Sequence, residues 1–505
     1  MYYHLLLPLK LDWLPVYSAE HPLRIGERVQ VMFSHREYTA VVWKECPEPE
    51  MDARDIRPVL SEHNEIEDIS PQEMALWDFV SSYYMCSLGQ VYAMAQPKFK
   101  ALGERVLKKA LKQYSLESSA QDSKAAKGSG ALGSAETEKP LLLMGSGRAE
   151  FYCKSIAECL EKGKSALVLA PEREGQLALR EEIGKQLPQA EESIVLYDTS
   201  LSMARRRDIE LCLKLGGKPL VVIGLRSALF LSFSKLGLVI VDNEHDALYK
   251  QSEPVPYYNA RDLAAVLARI HSSGLILGSE CPSLESLYNC SKGKWLLKRL
   301  PYRAECELQI IDIAAEKRKR GMKGDFSIKM LEEIERSREQ IRIVRSFLSE
   351  EAAAEQCISL LPGRDPQILS ARQAAKASTK VGLCCILNAD SLFDAQDFRS
   401  DEKALQLLCS LSLRCDKLIV QSRTPEHPVF GMLRELLMPG NGFPLYASRL
   451  LGERQQFKLP PFVRLLDIKD PKTSMLVKRI GLDNTTKEEI SLKYGKLYKI
   501  DVDPI

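Results

Sequence analysis

LGLVIVDNEHDALYKQSEPVPYYNARD, Leu236–Asp262, carries the clearest fold signal in the chain. Its opening run GLVIVD, Gly237–Asp242, is apolar and β-branched with no polar residue inside it, as in a strand buried on both faces; a half-exposed strand would alternate instead. Five more runs of this kind surround it: LLLM (Leu141–Met144), ALVLAP (Ala166–Pro171), IVLY (Ile194–Tyr197), LVVIG (Leu220–Gly224) and LILGS (Leu275–Ser279). They are short and spaced for crossover helices. The pattern predicts a parallel α/β sheet from Pro140 to about Arg303. In such a sheet ligands sit beyond the carboxyl ends of the strands, and Asp242 stands at one of those ends.

Residues 1–97 have a different period. RVQVMF (Arg28–Phe33) and YTAVVW (Tyr38–Trp43) alternate apolar and polar positions between turn residues, so a small strand-rich domain is expected there. It closes on PQEMALWDFVSSYY, whose Met74, Leu76, Trp77, Val80 and Tyr84 approximate one helical face. Lys98–Lys112 then sets Lys98, Lys100, Arg105, Lys108, Lys109 and Lys112 against Glu104 alone. That is either a basic helix facing a phosphate backbone, with Lys108 and Lys109 as contacts, or a solvated helix face. Residues 115–139 are rich in Ser, Ala, Gly and Lys and read as a flexible linker. Residues 304–350 are strongly charged, with KRKR at Lys317–Arg320, and read as a connector. A second, thinner α/β region follows, marked by QILSA (Gln367–Ala371), VGLCCILNAD (Val381–Asp390) and KLIVQS (Lys417–Ser422). The last 45 or so residues show weak patterning.

The 505 residues predict about three domains at roughly 150 residues each. Apolar residues make up 45% and charged residues 27%, an ordinary globular composition that excludes collagenous, disordered and membrane classes. Seventy basic residues against 68 acidic ones leave a charge of +2, so any nucleic-acid site must be local. Thirteen cysteines and seven histidines form no C-x2-C pair; Cys384 and Cys385 are adjacent, and Cys153/Cys159 and Cys409/Cys415 are the next closest pairs. No zinc is expected on that spacing. An odd cysteine count, a start at MYYHLLLPLK without signal-peptide character and no apolar run near 18 residues predict free thiols in a reducing cytoplasm and no membrane partner.

Two segments carry recognisable chemistry. After LLLM comes GSGRAEFY, a glycine-rich turn opening a helix, with Gly145, Ser146, Gly147 and Arg148 in the place of a phosphate loop. A working loop reads G-x-x-x-x-G-K-[ST], but here Arg148 replaces Lys, Ala149 the hydroxyl residue and Leu142 the first glycine. After GLVIVD comes the acidic turn Asp242, Asn243, Glu244, His245, in which an amide occupies the position of the carboxylate that activates water. The following loop mixes Tyr249, Lys250, Gln251, Tyr257, Tyr258 and Arg261. That mixture suits single-stranded DNA through stacking and phosphate contacts, or equally a structural packing role. Arg226 is either a phosphate contact or a surface ion pair.

Leu236–Asp262 resembles the signature of the primosomal protein N′ (PriA) family of bacterial replication-restart helicases. VVIGLRSALF (Val221–Phe230) is similar to that family's I-G-T-R-S-A-L-F block, and LGSECPSLESLYN (Leu277–Asn289) to its L-G-S-A-T-P-S-L-E-S block. ILNADSLFDAQDFRSDEKALQLL (Ile386–Leu408) is similar to its A-D…D-F-R-x-x-E-R…Q-L-L segment, and ERQQFKLPPFVRLL (Glu453–Leu466) to its E-R…P-P-F element. LLLPLK, RIGERVQVMF and FVSSYYMCSLGQVYAMAQP extend the likeness to the N-terminus, so the blocks are collinear over nearly the whole chain. The departures matter as much. The family's two-zinc, eight-cysteine segment between lobes has no counterpart, a winged-helix domain is replaced by the basic segment and linker, and the Q-x-x-G-R-x-G-R element falls on SLSLRCDK. There Arg414 persists while Ser410, Leu413, Asp416 and Lys417 replace the other positions.

The resemblance implies a small β-rich N-terminal DNA-binding domain followed by two RecA-like parallel α/β helicase lobes. Expected boundaries are 1–97 for a 3′ DNA-end-binding domain, 98–139 for the basic segment and linker, and 140–303 for lobe 1. A connector at 304–350, lobe 2 at 351–455 and a truncated C-terminal region at 456–505 complete the chain. In the family the first domain cradles a 3′ end, which places Tyr17 as a base-stacking group, or else a half-buried strand residue, beside the retained Gly26. The aromatic loop would couple DNA contact to hydrolysis. No cofactor is expected to be required, and ATP and Mg²⁺ would bind weakly if at all. The implied function is a PriA-like DNA-binding protein of replication restart, cytoplasmic and nucleoid-associated, that recognises branched or single-stranded DNA and meets primosome or single-strand-binding proteins, its helicase activity lost. A divergent but active ATP-dependent 3′→5′ helicase is the alternative, and a decaying paralogue with no present role the third reading.

Overall fold

The computed structural model describes residues 1–50, 52, 54–62, 68–95, 139–198, 200–302, 306–377, 379–393, 397–438, 442–482, 487–495 and 497–504. Lys108, Lys109, the basic segment and the linker up to residue 138 lie outside them. The chain divides into two compact units: residues 1–141, 149–277 and 463–505 form the first, residues 142–148 and 278–462 the second.

The first unit begins with strands β1 (Tyr2–Leu6), β2 (Val16–Ser18), β3 (Arg28–Phe33), β4 (Arg36–Glu45) and β5 (Ser61–Glu62), arranged β2-β1-β4-β3-β5 in an antiparallel sheet. The alternation in RVQVMF places Val29 and Val31 inward against Ala40 and Val42, with Tyr3, Leu5, Leu7, Tyr17 and Leu23 completing the core. Phe33 pairs with Arg36 across a two-residue turn in which Ser34 and His35 both have positive φ, the twist that a tight hairpin needs. Helix α1 (Pro71–Tyr84) starts at a capping box of Ser70 and Glu73 and buries Leu76, Trp77, Val80 and Tyr84. Helix α2 (Leu88–Ala95) follows, and Trp77 stacks on Tyr92 at 5.5 Å.

The apolar runs read from the sequence all form strands: β6 (Leu141–Met144), β7 (Ser165–Leu169), β8 (Ile194–Tyr197), β9 (Val221–Gly224), β10 (Leu236–Asp242) and β11 (Gly274–Ser279). Strands β10, β7, β9 and β8 lie side by side in that order and are parallel throughout. Helix α3 (Arg148–Glu161) follows the glycine-rich turn. Strand β12 (Leu296–Arg299), which neighbours β6, was not legible as an apolar run.

In the second unit, residues 304–350 are more than the expected connector. They supply β13 (Glu307–Asp312), the hairpin strands β14 (Met322–Lys323) and β15 (Phe326–Ser327), and β16 (Ile341–Val344). With β17 (Gln367–Leu369), β18 (Val381–Ile386) and β19 (Cys415–Ser422) they build a parallel sheet ordered β13-β19-β18-β16-β17. Heavy charge on the flanks disguises this, because the helix Ile328–Arg336 keeps Met330, Leu331 and Ile334 on a buried face and turns its glutamates outward. Phe326, Met330 and Ile334 join Ile341, Ile343, Leu383, Cys385 and Ile419 in one core.

The weakly patterned C-terminal stretch is an antiparallel sheet of β20 (Leu465–Lys469), β21 (Leu476–Gly481) and β22 (Lys499–Val502), ordered β21-β20-β22 within the first unit. All thirteen cysteines are free thiols, most of them buried. Among the described residues no helix is long and apolar enough to cross a membrane, and no group of three His, Cys, Asp or Glu side chains is placed to hold a metal ion.

Candidate phosphate loop and nucleic-acid interface

In the second unit the glycine-rich turn joins β6 to α3. Gly145 and Gly147 have φ of +123° and +70°, and a Cβ on Gly145 would lie 2.3 Å from the Leu300 carbonyl oxygen, so only glycine fits. Gly145 N–H donates to the Ser279 carbonyl at 3.0 Å. The charge has been redirected. Arg148, 8% exposed, curls back so that Nη1 donates to the Gly145 carbonyl at 2.8 Å and pairs with Glu280 Oε1 at 3.4 Å. A cation at the first turn of a helix opposes the helix dipole, and Glu280 supplies the anion that offsets it. The loop thus holds its own ion pair.

In the first unit Asp242 Oδ1 accepts from the Tyr152 hydroxyl at 2.8 Å in a buried setting. Asn243 takes φ +50°, a conformation asparagine tolerates, and its carbonyl accepts the Asp246 N–H at 2.9 Å. Glu244 is buried against Arg261, Oε2 to Nη1 3.5 Å, while Arg261 Nε reaches Asp262 at 2.8 Å. His245 is half-buried. In this turn Asp242 thus accepts from a hydroxyl, Glu244 faces an arginine, and the residue between them is an amide, which cannot serve as a base for water.

The aromatic segment faces inward. Tyr249, 1% exposed, donates its hydroxyl to the carbonyls of Asp242 (2.6 Å) and Leu169 (2.9 Å), which ties the segment to the carboxyl ends of β10 and β7. Burial, with the Asp242 charge second, raises its phenol well above the ordinary range. Tyr258, also 1% exposed, meets Phe230 edge to face at 5.4 Å. In this arrangement neither ring offers a face to a nucleobase. Arg226 Nη1 donates to the Leu248 carbonyl at 3.0 Å and so holds the same segment. Lys250 inserts under the C-terminal sheet: its ammonium donates to the carbonyls of Tyr257 (2.7 Å) and Val502 (2.5 Å), and lies 2.8 Å from Asp501.

Burial pulls the Lys250 ammonium below its ordinary range, and Asp501 offsets only part of that pull. The unfolded chain therefore binds this proton more tightly than the folded one does. Lys250 accordingly lowers stability at neutral pH, and that loss is relieved as the pH rises through its folded pKa towards the unfolded value. In Lys250→Met, the rise in stability that wild type shows between neutral and alkaline pH should flatten in difference curves from urea unfolding. Identical pH slopes for the two proteins would remove Lys250 from the account.

In the N-terminal domain Tyr17 packs into the core and donates its hydroxyl to the Met32 carbonyl at 3.0 Å; burial raises its phenol. This is the strand-residue arrangement rather than an open stacking platform. Gly26 is structural: at φ +90° a Cβ would sit 2.2 Å from the Ile69 carbonyl oxygen.

Residues 4–97 match the family of the PriA 3′DNA-binding domain (3′BD). The chain is 33% identical over 327 residues to the replication restart protein PriA of Rickettsia typhi, covering 62% of this chain and 48% of that protein. To the same protein of Helicobacter pylori (strain 26695) it is 33% identical over 306 residues, covering 59% and 46%. This chain is PriA-like. It spans about half the length of the curated relatives it matches. Among solved structures it is similar to RecG bound to a three-way DNA junction, at a TM-score of 0.41 and 14% identity, covering 75% of this chain and 52% of that one.

In the second unit the PriA-like blocks converge on a cluster that reading block by block does not reveal. Arg454, from the E-R element, pairs through Nη2 with Glu402 and through Nη1 with Glu285 at 3.5 Å, and donates to the Pro460 carbonyl at 3.2 Å. Arg399, from D-F-R, meets Glu285 at 2.6 Å, and the Phe398 ring lies 4.8 and 5.1 Å from the two guanidinium carbons. Glu402 also accepts the Leu284 N–H at 2.8 Å. Arg399 and Glu402, three residues apart within the D-F-R segment, were the available signal. By contrast Arg414 precedes β19, at the amino edge of the sheet, where its Nη1 donates to Ser410; Lys417 is held by Glu307 (3.0 Å) and Glu333 (2.9 Å). Ligands of parallel sheets sit at the opposite edge.

Proposed function

We propose that this chain is a noncatalytic, PriA-like DNA-binding protein of replication restart. It recognises branched or stalled-fork DNA in the cytoplasm, at the nucleoid, and meets primosome or single-strand-binding proteins there. The match of residues 4–97 to the 3′DNA-binding domain family carries this reading. Two observations support the loss of catalysis: Arg148 is bound to its own loop and to Glu280, and Asp242 is bound to Tyr152. Tyr17, Tyr249 and Tyr258 act in this reading by shaping the domains that carry DNA, and the strand contacts themselves fall on exposed basic groups.

The test is fluorescence anisotropy of the full chain with a labelled fork and with a blunt duplex, each with and without ATP and Mg²⁺. Tighter binding to the fork, unchanged by nucleotide, is expected. Absence of fork binding overturns the proposal, and ATP-dependent unwinding of the fork replaces it with the active-helicase reading.

A further inference from the structure

The run Lys317–Arg320 occupies the last turn of the helix Ile313–Lys319, which leaves the carboxyl end of β13 in the second unit. That helix is firmly terminated at both ends. Asp312 accepts from the N–H groups of Ala314 (2.8 Å) and Ala315 (3.0 Å), and the Arg320 and Gly321 N–H groups both return to the Glu316 carbonyl, at 2.9 and 2.7 Å. Gly321 has φ +93°, as a helix stop requires. The β14–β15 hairpin follows and is anchored from below. Gln421, fully buried on β19, donates to the carbonyls of Asp325 and Leu387 at 2.8 Å each and accepts the Ser327 N–H at 2.8 Å. The helix end and Lys323 on the hairpin are therefore presented by a rigid frame.

Lys317, Arg318, Lys319, Arg320 and Lys323 are all exposed. Arg320 is neutralised by Glu332 at 3.1 Å. Among the described residues no ion pair joins Lys317, Arg318, Lys319 or Lys323 to a carboxylate, although other surface lysines of this unit are paired, Lys403 with Asp397 and Lys417 with Glu307 and Glu333. The helix dipole favours cations in a last turn, which explains their sign there. It does not explain Lys323, which is on the hairpin. Close like charges repel, and in a chain of net charge +2 such a cluster makes a local positive field.

We propose that Lys317, Arg318, Lys319 and Lys323 form a contact for the phosphate backbone of DNA on the second unit, separate from the 3′DNA-binding domain. The proposal rests on the DNA-binding reading above and assigns part of that binding to named residues. An anionic membrane fits less well, because the helix has no outward apolar side to insert: Ile313 is buried and its other exposed positions are alanine or charged.

The experiment compares the full chain with Lys317→Gln/Arg318→Gln/Lys319→Gln/Lys323→Gln, and with a control, Lys185→Gln/Lys218→Gln, in binding a labelled fork between 50 and 200 mM salt. Loss of four backbone contacts should flatten the slope of log K against log[salt] by about 3 and weaken binding about tenfold or more at 50 mM. The control should follow wild type. If wild type binds the fork and the quadruple variant keeps its slope and affinity, the site is overturned while the DNA-binding reading stands. If wild type does not bind, that reading fails first. Cluster-dependent binding to phosphatidylserine vesicles with no change in fork binding would also overturn it. Unchanged circular dichroism of the variant excludes misfolding as the cause.

Discussion

Arg454→Ala should destabilise the second unit by about 3–5 kcal/mol, the cost of removing one partner from a buried ion pair. Arg454 is 4% exposed and ties Glu402, Glu285 and the Pro460 carbonyl together, so its loss leaves Glu402 buried without its main counter-charge. Arg454→Lys should recover only part of the loss, because one ammonium cannot span two carboxylates and a carbonyl as a planar guanidinium does. The double change Arg454→Met/Glu402→Gln should cost less than Arg454→Ala alone, since it removes both charges and not merely one. Hydrogen exchange followed by mass spectrometry reads this locally, in peptides covering 398–412 and 445–460. Protection within about 1 kcal/mol of wild type in Arg454→Ala would show that the cluster contributes little.

This cluster also marks the limit of what the chain discloses by itself. Long apolar runs such as Gly237–Asp242 were legible as strands because burial on both faces leaves a signature within six residues. Glu307–Asp312 is fully buried only at Ile311, and the buried Ile341–Val344 is interrupted by Arg342, so with charged segments on either side their stretch read as a connector. In the C-terminal sheet, β21 is exposed along most of its length and carries no alternation to detect. At the site, the glycine turn and the exchange of Lys for Arg148 were visible in one line of sequence. What Arg148 does was not, because Glu280 is far along the chain. Tyr249, Lys250, Tyr258 and Arg261 present the same difficulty: aromatic and basic residues compose both a stacking platform for DNA and a well-bonded interior. The choice is made by Asp242, Phe230, Asp501 and Glu244, which the fold brings to them.

Phosphate release by the intact chain, with ATP, Mg²⁺ and forked DNA, should not exceed that of an Asp242→Ala control. Each group the reaction needs is replaced or engaged. Ala149 offers magnesium no hydroxyl, Asn243 cannot accept a proton, and Lys417 is bound to two glutamates; loss of an arginine finger alone removes roughly 10³ to 10⁵ in rate. Release above the control would restore the active-helicase reading. The Arg148–Glu280 pair makes a sharper prediction about binding, separable from turnover. Glu280→Ala removes the carboxylate 3.4 Å from Arg148, at a helix N-terminus, and a charge-assisted hydrogen bond to an incoming phosphate is worth about 1.5–3 kcal/mol. Pyrophosphate affinity by calorimetry should therefore rise about tenfold or more over wild type. Arg148→Ala/Glu280→Ala should lose that gain, because the loop alone then faces the anion. A Glu280→Ala protein that is folded but binds pyrophosphate no better than wild type would show that Glu280 is not what keeps phosphate out of the loop.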